Sequence, residues 1–516
     1  MLTSLTLERL EAVALGRDSL VLSRQERQSV EKAHDFLLAR IESRQRIYGV
    51  TTGYGPLATT YVAPEQSVQL QQNLVYHLCS GVGEPLAIDQ VRALMAARLV
   101  SLCRGHSGVS SALVERLLFW LLHAVTPEIP SRGTVGASGD LTPLAHLARA
   151  LSGEGRVSIN GGPWMPSATA HRQLELEPLI LANKDAIALV NGTSVTAGIA
   201  ALNAVRAQRA VKLSTLLVLL YAELLEGHRE AFHPQIGAVR PYPGQQQLHR
   251  WLWALSADSQ ALKPLDARTL PASLDGVARH QTLPQDAYTL RCAPQALGAA
   301  WDVCTQHAET VKTEIASVSD NPLLFPEEEE ILHGGNFFGQ HLAFASDHLN
   351  NAVVQMALYS ERRIARVTDP LRNNGLPAFM QPRDTGLHSG FMGAQVSATS
   401  LVAELRSQAM PASIQSIPTN ADNQDIVPLG TIAARRASTS ITQLYQILAI
   451  EALVLAQAVD IVGSPSLSTA TRALHHWVRQ RAVTLGGDRP LAEEIEAIAQ
   501  ALLDPDEVAS LIELLD

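Results

Sequence analysis

Cysteine is scarce in this chain, with four residues in 516. They are far apart and show no C-x-x-C spacing: Cys79, Cys103, Cys292 and Cys304. The sequence therefore predicts neither a zinc site nor a disulfide framework, and we expect a reducing, cytoplasmic location. We also expect no secretory signal, because residues 1–16 (MLTSLTLERLEAVALG) place acidic side chains early and lack a basic start before an apolar core.

Positive charge is also limited. The 40 Lys and Arg residues are outnumbered by 50 Asp and Glu residues, which gives a formal net charge of -10 and an isoelectric point near 5.9. A nucleic-acid groove needs a basic face, so we expect no nucleic-acid partner, and membrane-surface binding is disfavoured for the same reason. The most apolar helical stretch that we identify, Leu213 to Ala222, has half the roughly 20 residues that a membrane-spanning helix needs and predicts buried core.

Linkers and low-complexity tracts are missing, although a chain of this length would ordinarily contain several domains. Hydrophobic residues make up 46% of the chain and charged residues 17%, a composition that allows a sizeable core and favours subunit interfaces. We therefore predict an all-α fold, a large bundle of long helices with a small N-terminal module that contains a short hairpin. Residues 1–190 are the predicted N-terminal module, and residues 191–516 are the bundle with its C-terminal helices.

Local patterns agree with this fold class. Ser23 and Glu26 have the spacing of a capping box, and apolar residues then recur at helical intervals. Residues 193–226 predict one helix far longer than the usual three turns. The only convincing hairpin lies within Ser152 to Pro166, where apolar residues alternate before a Gly-rich turn. The acidic run Glu327 to Glu330 predicts a solvated loop.

The most informative stretch is GTVGASGDLTPLAH, Gly133 to His146. If the Gly139 nitrogen attacks the Ala137 carbonyl carbon and two waters leave, one from the Ser138 side chain, the product is an imidazolone with an exocyclic methylidene. That ring is a strong carbon electrophile, and Gly139 lets the backbone bend into contact. The triplet alone is common, and its ordinary interpretation is a loop before a helix, with Ser138 or Asp140 as the cap.

The residues around the triplet change this interpretation. With Gly133 and Gly136 before it and DLTPLAH after it, the segment resembles the cyclising loop of the aromatic amino acid ammonia-lyase and aminomutase family, and further matches cover most of the chain. The resemblance implies a 4-methylidene-imidazole-5-one group formed autocatalytically from Ala137, Ser138 and Gly139, with no external cofactor. It also implies a homotetramer of long helices whose active sites draw residues from three chains.

The Gly-rich segment YGVTTGYGPLA, Tyr48 to Ala58, predicts a mobile loop suited to closing over a site. In the family this loop supplies a catalytic tyrosine, and Tyr48 is the matching position. Considered alone, Tyr48 would be an ordinary half-buried tyrosine at a helix end. Gly55 belongs to the implied substrate pocket. Tyr54 stands where the family more often has Phe, and we do not expect it to be the base.

His77 and Leu78 occupy the positions where these enzymes contact the substrate ring. By position alone, His77 would be a capping or structural histidine near a helix C-terminus. The His-Leu pair is similar to that of tyrosine-specific members, whereas Phe-Leu is typical of phenylalanine-specific members and Ser-His of histidine-specific ones. Gln424 lies where histidine-specific members have Glu, an acceptor for imidazolium, so a neutral Gln argues against histidine as substrate.

The segment QDAYTLRC, Gln285 to Cys292, resembles the family's QDxYxxR signature. Arg291 has the planar fork that makes two parallel charge-assisted bonds to a carboxylate, and Tyr288, three positions earlier, falls on the same helical face. The resemblance assigns Arg291 and Tyr288 to catalysis and Gln285 to substrate binding. Asn191 has the residue type of a helix cap, and the matching Asn of the family lies beside the imidazolone and the substrate.

Four further positions match pocket residues of the family. The GGNF segment, Gly334 to Phe337, resembles a turn whose Asn and Phe, here Asn336 and Phe337, line the pocket. Asn321, within Asp-Asn-Pro, and Asn420, at the start of NADNQDIVPLG, are the other two.

These residues and the resemblance predict a carbon–nitrogen lyase that converts L-tyrosine to trans-4-coumarate and ammonia. The β-hydrogen of the substrate is barely acidic and ammonium is a poor leaving group, so a tyrosinate base and an electrophile for the amine each address one difficulty. The nearest alternative is a tyrosine 2,3-aminomutase, followed by a histidine or phenylalanine ammonia-lyase. From another class, the alternative is a catalytically silent helical assembly protein that keeps the fold.

Overall fold

The computed structural model describes residues 5–264, 276–277, 285–381, 383–384, 386–463 and 466–515. Helices account for most of these residues and confirm the all-α prediction. In chain order they are α1 (Leu7–Ala14), α2 (Arg24–Glu42), α3 (Ser67–Leu78), α4 (Ile88–Leu102), α5 (Ser111–Leu122), α6 (Leu141–Leu151), α7 (Ser167–Gln173), α8 (Asp185–Val190), α9 (Ser194–Leu224), α10 (Pro234–Ala238), α11 (Pro243–Leu255), α12 (Tyr288–Arg291), α13 (Ala293–Ile315), α14 (Gln340–Thr368), α15 (Met392–Ser407), α16 (Gly430–Val462), α17 (Thr469–Arg479), α18 (Ala492–Leu503) and α19 (Ala509–Ile512).

The strands are short and antiparallel. They are β1 (Val82–Pro85), β2 (Val125–Pro127), β3 (Pro130–Arg132), β4 (Arg156–Ile159), β5 (Met165–Pro166), β6 (Leu323–Phe325) and β7 (Glu330–Leu332). The predicted hairpin is confirmed, since β4 pairs with β5 and places Val157 opposite Met165. The pairs β1–β3, β2–β4 and β6–β7 were not predicted, because strands of three or four residues are too short to show a two-residue period. Glu330 begins β7, so the acidic run predicted as a loop is partly strand.

The long helices follow the sequence pattern closely. α2 begins with the predicted capping box, in which Ser23 and Glu26 bond each other's backbone. The helix predicted for residues 193–226 is α9, with 31 residues. Among the described residues, α16 passes a length-and-composition test for a membrane span, but 78% of its most apolar window is buried inside the protein, as in the core helix of a folded domain.

Contacts divide the chain into two compact units, each built from three separate stretches. The first unit comprises Met1–Val205, Gln306–His348 and Pro411–Ser438, and the second comprises Arg206–Thr305, Leu349–Met410 and Thr439–Asp516. Each unit has its own large apolar core. The predicted domain boundary at residue 190 is a division of the linear sequence, whereas each of these units combines separate stretches. The boundary stays a prediction.

α4 is the central helix of the first unit. Every residue from Val91 to Leu102 is buried, including two arginines, and such a helix must have neighbours on all sides. One of those arginines, Arg98, reaches the end of α8 and the residues that follow it. The core of the first unit therefore supports the loops that carry the predicted chemistry.

Candidate active site

One cavity of about 960 Å³ in the first unit gathers most of the predicted site residues. Those that line it are Tyr48, Gly55, His77, Leu78, Ala137, Ser138, Asn191, Asn321, Phe337, Asn420 and Gln424. The volume is that of a small-molecule site, and the residues come from widely separated parts of the chain. Their meeting in one cavity is what a single active site requires.

The backbone around the Ala-Ser-Gly triplet is tightly folded. Ala137 and Gly139 pair in an isolated bridge, and Gly139 also bridges to Gly192. Gly139 has a φ of +70°, and a Cβ there would lie 2.3 Å from the Gly192 carbonyl oxygen, so only glycine fits. The Thr134 hydroxyl donates to the Gly139 carbonyl at 3.4 Å and accepts from the Gly136 N–H at 3.1 Å. The loop is thus closed on itself before α6 begins.

Asp140, the residue after the triplet, anchors this loop to α9 and to Thr431. It occupies the N-cap position of α6, but its side chain caps nothing there. Instead the buried carboxylate accepts from the Thr196 N–H at 2.8 Å and from the hydroxyls of Thr196 and Thr431 at 3.0 and 2.5 Å. Burial raises the pKa of Asp140, and these donors oppose the rise. Its own N–H donates to the Gly192 carbonyl at 2.7 Å, which ties the triplet to the start of α9.

Asn191 lies at the C-cap of α8 and not at the N-terminus of α9, where the capping interpretation would place it. The Ser138 hydroxyl donates to its Oδ1 at 3.3 Å, and its Nδ2 donates to the Asn321 carbonyl at 3.0 Å. Nη2 of the buried Arg98 donates to the Asn191 carbonyl at 2.7 Å, and burial lowers the pKa of Arg98 to about 10. Side chain and backbone of Asn191 are both held, and its amide oxygen faces Ser138.

The Tyr48 loop is held by its own backbone. The Gly55 N–H donates to the Tyr48 phenolic oxygen at 2.8 Å, and the Tyr48 N–H donates to His333 Nε2 at 3.3 Å. Gly55 has a φ of +52°, and a Cβ there would lie 2.7 Å from the Asn420 amide nitrogen. The Tyr54 ring stands edge-on to Tyr48 with centroids 6.4 Å apart. Burial raises the pKa of the Tyr54 hydroxyl, and the expectation that Tyr54 is not the base stays a prediction.

His77 lies in the last turn of α3 and lines the cavity. Its Nδ1 lies 3.0 Å from the Asn73 carbonyl, one helical turn earlier. Because a carbonyl can only accept, Nδ1 carries the hydrogen, and Nε2 of the neutral ring is an acceptor. Both residues line the cavity. His77 is therefore bonded within its own helix, and its contact with a substrate stays a prediction.

Asn420 and Gln424 lie on one turn. Thr419 and Gln424 form an isolated antiparallel bridge, and the Thr419 hydroxyl donates to the Gln424 side-chain oxygen at 2.7 Å. Asn420 has a φ of +55°, one of three consecutive residues in the left-handed region. The oxygen of the Gln424 amide is thus already engaged within the turn.

Five predicted residues do not line this cavity, and one of them is Gly139, which lies in the tightly folded loop behind Ser138. Gln285, Tyr288 and Arg291 belong to the second unit, where Gln285 and Arg291 line a cavity of about 510 Å³. The Arg291 guanidinium carbon lies 4.6 Å from the Tyr288 ring centroid, so the two share a face as expected. Among the described residues, the buried Arg291 Nε has no hydrogen-bond partner. Asn336 is exposed and donates to the Val318 carbonyl at 3.3 Å.

Sequence reasoning missed a buried ion pair beside the site. Lys184 Nζ lies 2.6 Å from Asp320 Oδ2, and neither side chain is exposed. Burial lowers the pKa of Lys184, and Asp320 opposes this. The pair joins the start of α8 to the segment that carries Asn321, and 136 residues of sequence separation hide it from local patterns. Phe338, next to the predicted Phe337, also lines the cavity.

Three known proteins illustrate what the chain is similar to. It is 44% identical to the tyrosine ammonia-lyase of Cereibacter sphaeroides over 509 residues, which cover 97% of each chain. It is 39% identical to the histidine ammonia-lyase of Symbiobacterium thermophilum, covering 98% of this chain and 97% of that one. The crystal structure of tyrosine aminomutase from Streptomyces globisporus superposes with a TM-score of 0.93 at 37% identity, covering 99% of this chain and 97% of the other.

The similarity extends through both units. The sequence pattern of the family described as aromatic amino acid lyase matches residues 5–480. Relatives that match along nearly the whole chain include both an ammonia-lyase and an aminomutase. The chain therefore belongs to the aromatic amino acid lyase family, and it is a carbon–nitrogen lyase.

Proposed function

We propose that this enzyme eliminates ammonia from L-tyrosine to give trans-4-coumarate. The observation that carries the proposal is one cavity lined by Tyr48, Ser138, Asn191 and His77 together. A relative with 44% identity along the chain is named a tyrosine ammonia-lyase, which supports the same substrate.

The Ala-Ser-Gly triplet fits a 4-methylidene-imidazole-5-one group formed from its own backbone. Ala137 and Gly139 are already in contact, Gly139 has no space for a side chain, and Ser138 faces the Asn191 amide. Once formed from the three residues, the group supplies a carbon electrophile for the substrate amine, with no external cofactor. Asn191, held by Arg98, keeps the Ser138 position fixed against the cavity wall.

Two side chains act on the substrate's reacting end. Tyr48 takes the β-proton, with its oxygen held at the cavity wall by the Gly55 N–H. Arg291 binds the carboxylate through its planar guanidinium, which the stacked Tyr288 ring orients. Positioning of this kind is worth a large part of a rate enhancement.

Specificity for tyrosine rests on the far end of the cavity. His77 Nε2 accepts the hydrogen of the substrate phenol because Nδ1 is committed to Asn73, and Leu78 packs against the ring. Histidine is disfavoured as a substrate because Gln424 is neutral and its oxygen already accepts from Thr419. An imidazolium would find no carboxylate at this position.

We also propose a homotetramer in which Gln285, Tyr288 and Arg291 are supplied by a neighbouring chain. This assignment follows the family resemblance and agrees with the second-unit location of these residues. In the single chain, some large apolar side chains of the helices are exposed, such as Phe344 on α14 and Val396 on α15. We propose these side chains as candidates for contacts between chains.

A tyrosine 2,3-aminomutase is the second candidate, favoured by the TM-score of 0.93 to the tyrosine aminomutase of Streptomyces globisporus. Both activities begin with loss of the amine and the β-proton. They differ in whether ammonia is added back before the product leaves.

Intact mass and a substrate panel test the proposal together. The purified protein should lack the mass of two water molecules, and a mass equal to that of the encoded chain would end the electrophile hypothesis. With L-tyrosine, the lyase accumulates the ultraviolet absorbance of free coumarate, whereas a mutase accumulates β-tyrosine and little coumarate. L-phenylalanine and L-histidine serve as competitors. Ser138→Ala is the control and should keep its helical circular dichroism while losing nearly all activity.

A further inference from the structure

Gln71 is a fully buried polar residue of α3 that does not line the cavity. Its relative exposure is 0%, although a glutamine is ordinarily found at the surface. A buried amide must satisfy its hydrogen bonds or destabilise the fold. The partners of Gln71 therefore indicate why it is inside.

The Gln71 amide joins α3 to two other parts of the chain, the Tyr48 loop and α8. Its Nε2 donates to the Gly49 carbonyl at 2.9 Å and to the Tyr54 hydroxyl at 3.1 Å, and its Oε1 accepts from the Ile187 N–H at 2.9 Å. A carbonyl can only accept and an N–H can only donate, so this network fixes the orientation of the amide. Both hydrogens and the oxygen are used.

The same four residues are closely packed. Gly49 has a φ of +68°, and a Cβ there would lie 2.4 Å from Ile187 Cδ1 and 2.8 Å from Tyr54 Cε1. The Tyr54 ring in turn stands edge-on against Tyr48. We call Gly49, Tyr54, Gln71 and Ile187 the loop junction. It leaves the backbone next to Tyr48 little freedom to move.

We propose that Gln71 is a positioning residue that sets Tyr48 against the prosthetic-group side of the cavity. It holds Gly49, the neighbour of Tyr48, to Ile187 on α8, the helix that ends at Asn191. The inference rests on the proposed function, because it assumes that Tyr48 is the base. The Tyr54 hydroxyl, where the family more often has Phe, gives the second Gln71 hydrogen a partner in this chain.

Gln71→Met tests the proposal, since it keeps the length of the side chain and removes all three hydrogen bonds. Misplacement of a reacting group by about 1 Å costs on the order of 100-fold in rate, so kcat per mole of formed ring should fall roughly 10- to 100-fold. KM for tyrosine should change less, because Gln71 does not touch the cavity. Ring content, read from intact mass and ring absorbance, should equal that of the parent. Amides of residues 48–55 should exchange hydrogen faster.

The matched control is Gln72→Met, at the next position of the same helix. Gln72 is exposed, and its amide bonds only to Tyr76 among the partners found for it. This variant should keep the parental kcat and exchange rates. Equal kcat per ring in Gln71→Met, Gln72→Met and the parent would overturn the positioning role, because a residue that only stabilises the fold changes the active fraction and not the rate per ring.

Tyr54→Phe provides a second test if Gln71→Met folds poorly. It removes one bond of the junction and keeps the ring, so kcat should fall by a few-fold with faster exchange at residues 48–55. In the Gln71→Met background, the same change should have no further effect, since it acts through Gln71. An unchanged rate and exchange in Tyr54→Phe, or an equal effect in both backgrounds, contradicts the proposal.

Failure of the proposed function is distinguishable from failure of the positioning role. If the proposed function is wrong, the parent itself lacks the ring or releases no ammonia, whereas the exchange measurement does not need activity.

Discussion

The backbone N–H of Gly55 donates a 2.8 Å hydrogen bond to the phenolic oxygen of Tyr48. The proposed base is therefore held by its own loop, which a bridge between Thr52 and Tyr61 and the 3-10 turn Gly55–Thr59 keep compact. A preformed loop places the reactive oxygen before substrate binds, so activity should depend on this one hydroxyl more than on the other tyrosines nearby.

Tyr48→Phe should lower kcat with tyrosine by about 10²–10⁴, the usual cost of losing a general base. Ring content and helical circular dichroism should not change, because the ring of Tyr48 and the loop volume remain. The matched control is Tyr61→Phe, just after this loop, where Tyr61 pairs with Thr52 and is 70% exposed. The absorbance of released coumarate measures the activity of both variants. Activity of Tyr48→Phe within a few-fold of the parent would move the role of base elsewhere, with Tyr288 as the next candidate.

His77→Phe should invert the preference of the enzyme from tyrosine to phenylalanine. The change removes the acceptor for the substrate phenol, and a site that loses such a partner can lose up to about 10⁴ in discrimination, less where water enters. We expect kcat/KM to fall with tyrosine and to rise with phenylalanine, with ring absorbance retained. Tyr76→Phe, the preceding residue on α3, is the control, since its hydroxyl bonds to Glu154 at 2.6 Å and not to the cavity. A retained tyrosine preference would make His77 structural.

His307→Leu should reduce the loss of stability in acid. Burial lowers the pKa of His307 to about 3, and neither ring nitrogen has a partner among the described residues. Between about pH 6.5 and pH 3 the unfolded chain binds a proton that the folded chain does not, so stability falls as pH falls, by up to roughly 1.4 kcal/mol per pH unit. The variant lacks this contribution. Melting temperatures at pH 7.5 and 5.0 should therefore drop more in the parent, and equal drops would refute the assignment.

Local residue types were enough to predict much of the fold, whereas the candidate cavity residues came from the family resemblance. The capping box at Ser23, the long apolar period of α9 and the glycines around Ser138 each act within a few residues, so the sequence displays them. The motif resemblance then selected Tyr48 and Asn191 from many similar residues. Both line the cavity, as one site requires.

What the sequence could not predict depends on distant partners. The Lys184–Asp320 ion pair and the Gln71–Gly49 bond each join residues that no local period relates. The interleaving of two units from six stretches is likewise invisible to a linear reading, because contiguous segments share composition. Asn191 shows the same limit. Its residue type indicates a helix cap, but it did not reveal that Asn191 lies at the end of α8 and not at the start of α9.

Mixing two inactive variants should restore activity if the sites are shared between chains. Tyr48→Phe removes the proposed base from the first unit, and Arg291→Gln removes the carboxylate partner from the second. In a co-expressed oligomer, a site is intact when its Tyr48 comes from the Arg291→Gln chain and its Arg291 comes from the Tyr48→Phe chain. Random mixing of the two chains gives about a quarter of the sites this composition. Each variant alone should stay near its own low rate, and mixing purified, already assembled variants without exchange should add nothing. If the co-expressed mixture shows only the average of the two variants, each site takes both residues from one chain and the shared-site assignment is wrong.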